Sequence, residues 1–410
     1  MRIAIFSDCY LDLTGGIVSS INAQKAALEK NGHTVYVFST AYQKSEKDIQ
    51  KLKEQNIFVV PCCHNLLRGI TPVSRRPKIV EEWLLKTHPE LKDFDVFYIH
   101  YEAGCSIAGL RLARRLKIPS VQVMHGREDM GEQELIPFGL RTVVAYGLNT
   151  IHALNLPHSK RVKKDDYLAD TLAKAKMWSL MVNHARFADV LITPSEHFAR
   201  KLGHYGVRKK IWILPNGYPD QKYPKNPKER SFKTGETLDI IWHSRVSQEK
   251  RILPLLKALA LLKGKYHLDV YGDGPDLKRA KAFAKNHNLN VTFHGNTPFE
   301  KVQKAIQDAD LDVLVSYNYD DYPSTLVEAE ASGLPAFICD PDMEEVLPAK
   351  SYLISKNESP EEMAKTLNSL FAHPEKIAKM SKAMLKARDE VLMSSRIKLL
   401  EKIFNGIIKK

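Results

Sequence analysis

The sequence predicts an α/β protein made of two doubly wound domains. Its 410 residues are too many for one ordinary domain. In both halves, short apolar strands alternate with amphipathic helical segments, and Gly, Pro or polar residues follow most of the strands. This alternation is typical of parallel sheets that carry helices on both faces.

The first half begins with a βαβ unit, because a strand at 2–6 and a helix at 18–30 precede a strand at 34–39. A right-handed crossover between the strands then favours a parallel sheet. Further predicted elements are strands at 57–60, 96–100, 120–124, 190–193 and 211–214 and a helix at 103–116. The opening MRIAIFSDCY is predicted to be a strand and not a signal peptide, since Asp8 interrupts its apolar run.

The second half repeats the alternation after a segment rich in Pro and Lys. Its predicted elements are strands at 238–242, 267–271, 291–294, 311–315 and 336–339 and helices at 252–262, 275–286, 299–308, 324–332 and 360–370. The tail from 374 is predicted to be helical and long enough to cross back onto the first domain. The predicted organisation is a first domain at 1–217, a linker at 218–236, a second domain at 237–387 and a C-terminal helix at 388–410.

Composition limits the class of protein and its partners. The hydrophobic content is 44%, and no apolar run approaches the ~20 residues of a membrane span. The five cysteines match no zinc or disulfide framework, which favours a reducing cytoplasm. The net charge is +13, and residues 1–215 hold 31 Lys and Arg against 21 Asp and Glu. This bias indicates either an anionic partner of the first domain or a generally basic protein.

The stretch from 317 to 335, YNYDDYPSTLVEAEASGLP, carries the strongest functional signal. Asp320 precedes Glu328 by eight positions, and a helix is predicted to begin at Ser324 or Thr325 after the turn at Tyr322 and Pro323. The free N–H groups of a helix N-terminus bind anions, and a nearby carboxylate suits sugar hydroxyls. A phosphate and a sugar held side by side indicate a nucleotide-sugar.

Two loops of the second domain add candidates for the phosphates. Arg245 and Lys250 follow the first strand of that domain, where two cations would neutralise a diphosphate leaving group, although isolated cations are usually exposed surface charges. Gly272 and Gly274 follow the next strand, where glycines permit a tight turn and a close backbone approach. Such turns are common, so this second signal is weak alone.

The first domain offers three candidates. Gly15 and Gly16 follow its first strand, where they form either a backbone site for a phosphate or sugar or an ordinary strand–helix turn. His125 follows a strand and precedes a glycine, so it is placed to contact a sugar hydroxyl or the reacting group. Ligands of open α/β sheets bind at the carboxyl ends of strands. Two domains facing across a cleft would therefore hold two ligands and suit a transfer reaction.

Together these motifs resemble the retaining glycosyltransferases of the GT-B fold, specifically glycosyltransferase family 4. The resemblance spans nearly the whole chain. In order, it rests on the IAIFSDCY strand, Gly15-Gly16, His125-Gly126, Pro194-Ser195-Glu196, Pro215-Asn216-Gly217, Arg245 with Lys250, Gly272-Asp273-Gly274-Pro275, and the acidic pair around Tyr322-Pro323. Each motif is weak alone, but their common order is specific.

The resemblance implies a role for each candidate. Arg245 and Lys250 would bind the donor diphosphate, and Glu328 the donor ribose. Asp320 and the backbone of Tyr322, Pro323, Ser324 and Thr325 would face the donor sugar and phosphates, and His125 the sugar near its reacting carbon. The family usually has Glu at the position of Asp320, which is one methylene shorter.

The resemblance also implies the reaction. It predicts transfer of a hexose, first of all glucose, from a UDP-sugar with retention of configuration. UDP-sugar would be a co-substrate, with no permanent cofactor and no metal. The leaving phosphate would take the proton of the acceptor.

The acceptor is predicted from closer similarity and from charge. The opening strand and Pro194-Ser195-Glu196 are similar to bacterial enzymes that glucosylate diacylglycerol at the inner face of the membrane. Two basic segments would favour peripheral attachment to an anionic membrane, 66–85 and 160–164. The alternatives are a cell-wall glycan, teichoic acid, polysaccharide or protein acceptor and, in another class, a basic nucleic-acid-binding protein. No nucleic-acid signature is present, so no nucleic-acid partner is expected.

Overall fold

The computed structural model describes residues 1–9, 15–41, 44–63, 73–74, 76–130, 136, 138–156 and 160–408. The chain divides into two compact units. The N-terminal unit comprises Met1–Pro215 with Arg396–Lys410, and the C-terminal unit comprises Asn216–Ser395. Part of the predicted basic segment at 66–85, namely 66–72 and 75, lies outside the described residues.

A parallel seven-stranded sheet forms the centre of the N-terminal unit, in the order β3-β2-β1-β6-β7-β8-β9. Its strands are β1 (Arg2–Ser7), β2 (Thr34–Ser39), β3 (Ile57–Val59), β6 (Val96–His100), β7 (Ser120–Val123), β8 (Val190–Thr193) and β9 (Ile211–Ile213). A two-stranded sheet of β4 (Cys62–Cys63) and β5 (Val73–Ser74) was not predicted. The helices are Gly16–Lys30, Glu46–Glu54, Pro77–Thr87, Gly104–Leu116, Arg141–Asn155, Leu172–Phe187 and Glu196–His204.

The C-terminal helix Met393–Ile408 returns to the N-terminal unit. Leu400 and Phe404 are fully buried in the same apolar cluster as Ile3 and Ile5 of β1. The carboxylate of Glu401 also lies 2.9 Å from Nε2 of His33. The predicted return of this helix to the first domain is therefore confirmed.

A parallel six-stranded sheet forms the centre of the C-terminal unit, in the order β12-β11-β10-β13-β14-β15. Its strands are β10 (Leu238–His243), β11 (Tyr266–Tyr271), β12 (Val291–Gly295), β13 (Leu311–Leu314), β14 (Ala336–Ile338) and β15 (Tyr352–Ile354). The helices are Ile252–Leu259, Leu277–Asn286, Phe299–Asp308, Ser324–Ala331, Pro360–Ala372 and Glu375–Ala387. The predicted alternation holds throughout. Only the edge strand β15 was missed, and a 3-10 segment, Arg388–Val391, interrupts the predicted helical tail.

The segment 218–236, predicted as a linker, packs against the C-terminal unit. Tyr218, Arg230 and Phe232 are all buried. The Arg230 guanidinium donates hydrogen bonds to the carbonyls of Ile306 and Ala309, at 3.1 and 3.3 Å. Buried arginines need such acceptors because their charge is costly to desolvate. A linker was predicted because this segment is polar and shows no helical or strand periodicity. Three buried side chains are too few to produce such a periodicity, although they attach the segment to the unit.

Candidate functional site

The loop after β10 is held in place by the loop after β11. Val246 N–H donates to the carbonyl of Asp273 at 3.0 Å, and Ser244 N–H to that of Tyr271 at 3.1 Å. A Cβ added at Gly272 would lie 2.0 Å from the Ser244 carbonyl oxygen. The close approach that the two glycines were predicted to permit is therefore made by the segment carrying Arg245, whose side chain is exposed.

Gly274 likewise approaches a backbone carbonyl of the Arg245 loop. Its Cβ would lie 2.3 Å from the carbonyl oxygen of Val246, a distance that real Cβ atoms do not reach. Gly272 also has a φ of +135°, which disfavours any side chain. The two glycines thus fix the position of the Arg245 loop, whether or not they also touch a ligand.

Lys250 and Asp320 form an ion pair. The Lys250 Nζ lies 2.6 Å from Asp320 Oδ1, and the two side chains are only 14% and 11% exposed. The hydroxyl of Ser316 donates to the other carboxylate oxygen of Asp320. Lys250 follows β10 and Asp320 follows β13, which are neighbouring strands. The structure therefore brings together two residues that the sequence placed 70 positions apart.

Glu328 lies beside His243, the last residue of β10. Its Oε2 is 3.2 Å from Nδ1 of His243, and Asp312 Oδ1 is 3.2 Å from Nε2 of the same ring. Burial alone would lower the pKa of His243, but the two carboxylates outweigh it and raise the pKa to about 10. His243 is therefore a buried cation that connects Asp312 of β13 with Glu328.

The His243 and Asp312 contacts were missed by the sequence analysis. The available signal was Asp312 itself, because a carboxylate within a buried apolar strand requires a cationic or hydrogen-bonding partner. Which residue supplies it depends on β10 lying next to β13, and that order is not local in sequence.

The helix Ser324–Ala331 begins directly after Pro323. The N-cap residue, Pro323, has no side chain that could cap the first N–H groups, and the Thr325 hydroxyl is buried without a hydrogen-bond partner within the described part of the chain. Tyr322 is buried, and its carbonyl accepts a hydrogen bond from Asn216 Nδ2 at 3.0 Å. Glu328 is in the second turn of this helix. An open N-terminus with an unpaired hydroxyl can bind phosphate oxygens.

The sequence-predicted residues of the N-terminal unit lie at the carboxyl edge of its sheet. His125 follows β7, and its Nε2 lies 2.8 Å from Nδ1 of His100 at the end of β6. Burial lowers the pKa of His125 to about 4, and burial together with His125 holds the pKa of His100 well below its ordinary value, so both rings are neutral at pH 7. Neutral imidazoles both donate and accept hydrogen bonds, which suits sugar hydroxyls.

Gly15 and Gly16 lie where the helix Gly16–Lys30 begins, after β1. Both are exposed, and a Cβ at either would meet no atom within 4 Å in the described part of the chain. Gly15 has a φ of +153°. Space around them is thus open, and the conformation of Gly15 is one that favours glycine.

Chemically, the C-terminal unit offers a cluster suited to an anionic ligand with hydroxyl groups. It combines an exposed arginine, a lysine paired with a carboxylate, an open helix N-terminus and a glutamate held by a buried cation. Such groups at the carboxyl ends of parallel strands are typical of nucleotide sites. Among the described residues, no cluster of three or more His, Cys, Asp or Glu could hold a metal ion.

Comparison with known families gives the class. Residues 14–222 match the model of Glycosyltransferase Family 4, and residues 225–387 match that of Glycosyl transferases group 1. Because the first model matches half of the chain, the chain belongs to glycosyltransferase family 4. The prediction of this family is therefore confirmed, and the protein is a glycosyltransferase.

Two of the relatives to which the chain is similar are glycolipid synthases. The chain is 26% identical over 357 residues to an alpha-monoglucosyldiacylglycerol synthase of Streptococcus pneumoniae, covering 82% of this chain and 70% of the relative. It is also 26% identical over 281 residues to the synthase of the same name from Acholeplasma laidlawii, covering 67% of this chain and 64% of that protein.

Solved structures confirm the predicted GT-B fold. Anabaena Alr3699/HepE, crystallised with UDP and glucose, has a TM-score of 0.67 at 15% identity, covering 99% of this chain and 100% of the other. TarM has a TM-score of 0.70 at 14% identity, covering 98% of each chain. In the part of this chain that the structure describes, no helix has the length and apolarity of a transmembrane span.

Proposed function

We propose that this glycosyltransferase moves glucose from UDP-glucose to a hydroxyl of diacylglycerol, with retention of configuration at the sugar. The observation that carries the donor assignment is the Lys250–Asp320 pair, which follows the ends of two neighbouring strands in the unit that also holds the helix beginning at Ser324. The acceptor assignment is supported by similarity to two alpha-monoglucosyldiacylglycerol synthases. UDP and glucose in a protein of the same fold support the donor.

In this proposal each donor-site residue has a role. Arg245 and Lys250 would neutralise the charge that develops on UDP as the bond from sugar C1 to the phosphate oxygen breaks. Glu328 would accept hydrogen bonds from ribose hydroxyls, held in place by His243. Asp320 would turn toward the sugar hydroxyls once the phosphates compete for Lys250.

The acceptor step balances without an added base. The acceptor oxygen forms the new bond to C1 on the face from which UDP departs, and its proton passes to the departing phosphate oxygen. This requires the phosphate to be positioned and only partly neutralised, which two cations accomplish. No metal takes part in this proposal, because the cations supply the charge that Mg²⁺ would otherwise provide.

The proposed location follows from the acceptor. Diacylglycerol resides in membranes, so the enzyme would act as a peripheral protein on the cytoplasmic face. The basic residues Lys160, Arg161, Lys163 and Lys164 are all exposed and available to anionic lipids. Transfer to a glycan, teichoic acid or protein, and simple nucleic-acid binding, remain the competing hypotheses.

Thermal-shift measurements with a panel of UDP-, GDP- and ADP-sugars test the donor, and UDP-glucose should stabilise the protein most. Radiolabelled transfer into diacylglycerol micelles tests the acceptor, and the anomeric coupling of the product in NMR spectra tests retention. Activity should survive EDTA. Stabilisation by GDP- or ADP-sugars alone, or label entering only polymer, would reject the donor or the acceptor respectively.

A further inference from the structure

A large apolar pocket lies within the N-terminal unit, and neither His125 nor Gly15 and Gly16 line it. Its volume is about 710 Å³, within the range of small-molecule sites. Three helices, Gly104–Leu116, Arg141–Asn155 and Leu172–Phe187, supply its wall. The apolar side chains of that wall are Ile107, Leu148, Ile151, Leu154, Met177 and Leu180. A wall of this kind suits a hydrocarbon chain.

Two buried polar side chains also line the pocket. Glu102 is 5% exposed and His152 is 4% exposed, yet Glu102 Oε1 and His152 Nδ1 have no hydrogen-bond partner among the described residues. Buried polar atoms without partners are costly, so each marks a position for a ligand atom.

These two side chains are electrically neutral. Burial raises the pKa of Glu102 well above its ordinary value, with Glu128 and Asp8 adding to the shift. Burial lowers the pKa of His152 to about 4. A protonated carboxyl and a neutral imidazole complement an uncharged hydroxyl or ester group better than a phosphate.

Tyr101, which also lines the pocket, has a strained backbone. Its φ is +81°, a value rare for a large side chain. Its carbonyl accepts a hydrogen bond from Gln122 Nε2 at 3.1 Å, which helps to hold this conformation. Strain of this kind concentrates at ligand sites.

The helix Arg141–Asn155 presents an exposed face without charge. Its exposed positions are Val143, Tyr146, Gly147, Thr150, Ile151, Ala153 and Leu154. Val143 is 68% exposed and Leu154 is 79% exposed. Surface helices of soluble proteins normally carry charges on their outer face, so an exposed face of apolar residues indicates an interaction surface.

Cations border this face and the pocket. Arg76 and Lys78 line the pocket together with Ile151 and Leu154. The Nζ of Lys176 lies 4.2 Å from the ring centre of Tyr146. An apolar face flanked by cations is typical of helices that lie at the surface of an anionic bilayer, because the cations contact headgroups while the apolar side chains enter the hydrocarbon.

We propose that the pocket binds a glycerolipid drawn from a membrane on which the helix Arg141–Asn155 lies. An acyl chain occupies the apolar wall, and the glycerol hydroxyl or ester oxygens pair with Glu102 and His152. The identification of this lipid as the glucosyl acceptor rests on the proposed function; its binding does not.

Vesicle partition tests the helix. The variant Val143→Glu/Leu154→Glu should lose about tenfold in partition onto vesicles of phosphatidylcholine, phosphatidylglycerol and dioleoylglycerol, because two charges would enter the hydrocarbon. Leu261→Glu is the matched control, since Leu261 is 49% exposed on the C-terminal unit, and it should partition like the wild type. Circular dichroism checks that each variant folds. Undiminished partition of the double variant would overturn the proposal.

Calorimetry with monomeric dioctanoylglycerol tests the pocket. Ile151→Glu should weaken binding by about tenfold, because Ile151 lines the pocket and is 46% exposed. Val143→Glu, outside the lining, should stay within about threefold of the wild type. Equal binding by both variants, or no binding by the wild type, would reject the pocket. Lipid binding without glucosyl transfer would instead reject the proposed function alone.

Discussion

Two histidines, His125 in the N-terminal unit and His243 in the C-terminal unit, are in opposite charge states. Burial lowers the pKa of His125 in the N-terminal unit to about 4, whereas Asp312 and Glu328 outweigh burial and raise that of His243 in the C-terminal unit to about 10. The same side chain is therefore neutral in one unit and cationic in the other at pH 7. The difference lies in the neighbours, since His125 contacts another imidazole and His243 contacts two carboxylates.

The contrast extends beyond one residue. Burial also lowers the pKa of His100, His152 and His184 in the N-terminal unit and raises that of Glu102. The C-terminal unit instead pairs Lys250 with Asp320 and leaves Arg245 exposed. The histidines packed in the N-terminal unit are thus neutral, although that unit also buries the Arg127–Asp129 ion pair, whereas the buried histidine of the C-terminal unit is charged. This arrangement suits an enzyme with an anionic donor and an uncharged acceptor.

The largest expected effect concerns the C-terminal unit. Lys250→Ala and Arg245→Ala should each lower kcat by about a hundredfold to a thousandfold, because each removes a cation that would stabilise the departing diphosphate. The measurement is initial-rate kinetics of glucosyl transfer. Lys257→Ala provides the control, since Lys257 is exposed on the helix that follows. Near-normal turnover in either site variant would contradict the diphosphate assignment.

Replacing His243 tests the buried cation. His243→Gln should lower the free energy of unfolding by roughly 3 kcal/mol at pH 7, since Asp312 would keep a buried charge without its partner. It should also raise KM for UDP-glucose more than it lowers kcat, because Glu328 loses its support. His373→Gln is the control at a side chain that is 60% exposed. Thermal melts and kinetics together separate a structural effect from a positioning effect.

The pH dependence of stability gives the same residue a second test. The folded-state pKa of His243, about 10, exceeds the value of about 6.5 in an unfolded chain. The contribution of His243 to the free energy of unfolding is therefore complete below about pH 6.5 and is lost as the pH rises toward 10. The wild type should lose more stability than His243→Gln between neutral and alkaline pH. Parallel curves would show that His243 is not charged in the folded protein.

Gly274 tests whether the Arg245 loop depends on close backbone packing. Gly274→Ala should destabilise the protein by about 2 kcal/mol and weaken UDP binding, because the new Cβ would displace the Val246 carbonyl. Gly406→Ala places a methyl where no described atom lies within 4 Å, inside a helix. That control should be neutral or stabilising by up to about 1 kcal/mol. Urea unfolding and calorimetry with UDP measure both effects.

The fold was predictable because periodicity and strand–turn chemistry are local. Every strand of the two large sheets except β15 was predicted, and β15 is a half-buried edge strand of three residues, too short to show a period. Lys250 was a candidate because it follows a strand, where ligands of such sheets bind, but its ion pair with Asp320 was not predicted. The His243–Asp312 contact was not predicted either, because it depends on which strands are neighbours.

The exposure of the helix Arg141–Asn155 could not be predicted from its sequence. Its sequence, RTVVAYGLNTIHALN, is apolar enough to predict a buried helix. Only the three-dimensional structure shows that residues such as Val143 and Leu154 face solvent. Apolar residues therefore indicate burial without indicating whether protein or lipid covers them.

The smallest expected effect concerns His125 in the N-terminal unit. Here stability is lost as the pH falls, whereas for His243 it is lost as the pH rises. The folded-state pKa of His125, about 4, lies below the unfolded value of about 6.5. The unfolded chain thus binds more protons between these values, so stability is lost as the pH falls from 6.5 toward 4. In His125→Asn, the stability lost between pH 7 and pH 5 should shrink by about 1 kcal/mol relative to the wild type.

Urea unfolding of the full-length chain at both pH values measures this difference, with the His373→Gln variant as the unaffected reference. Because His100 contacts His125, a double variant of the pair should reduce the acid sensitivity further, although by less than two independent sites would. An acid sensitivity unchanged in both variants would mean that His125 is already charged at pH 5. The contrast between neutral histidines in one unit and a charged histidine in the other would then fail at His125, which the resemblance placed near the reacting carbon.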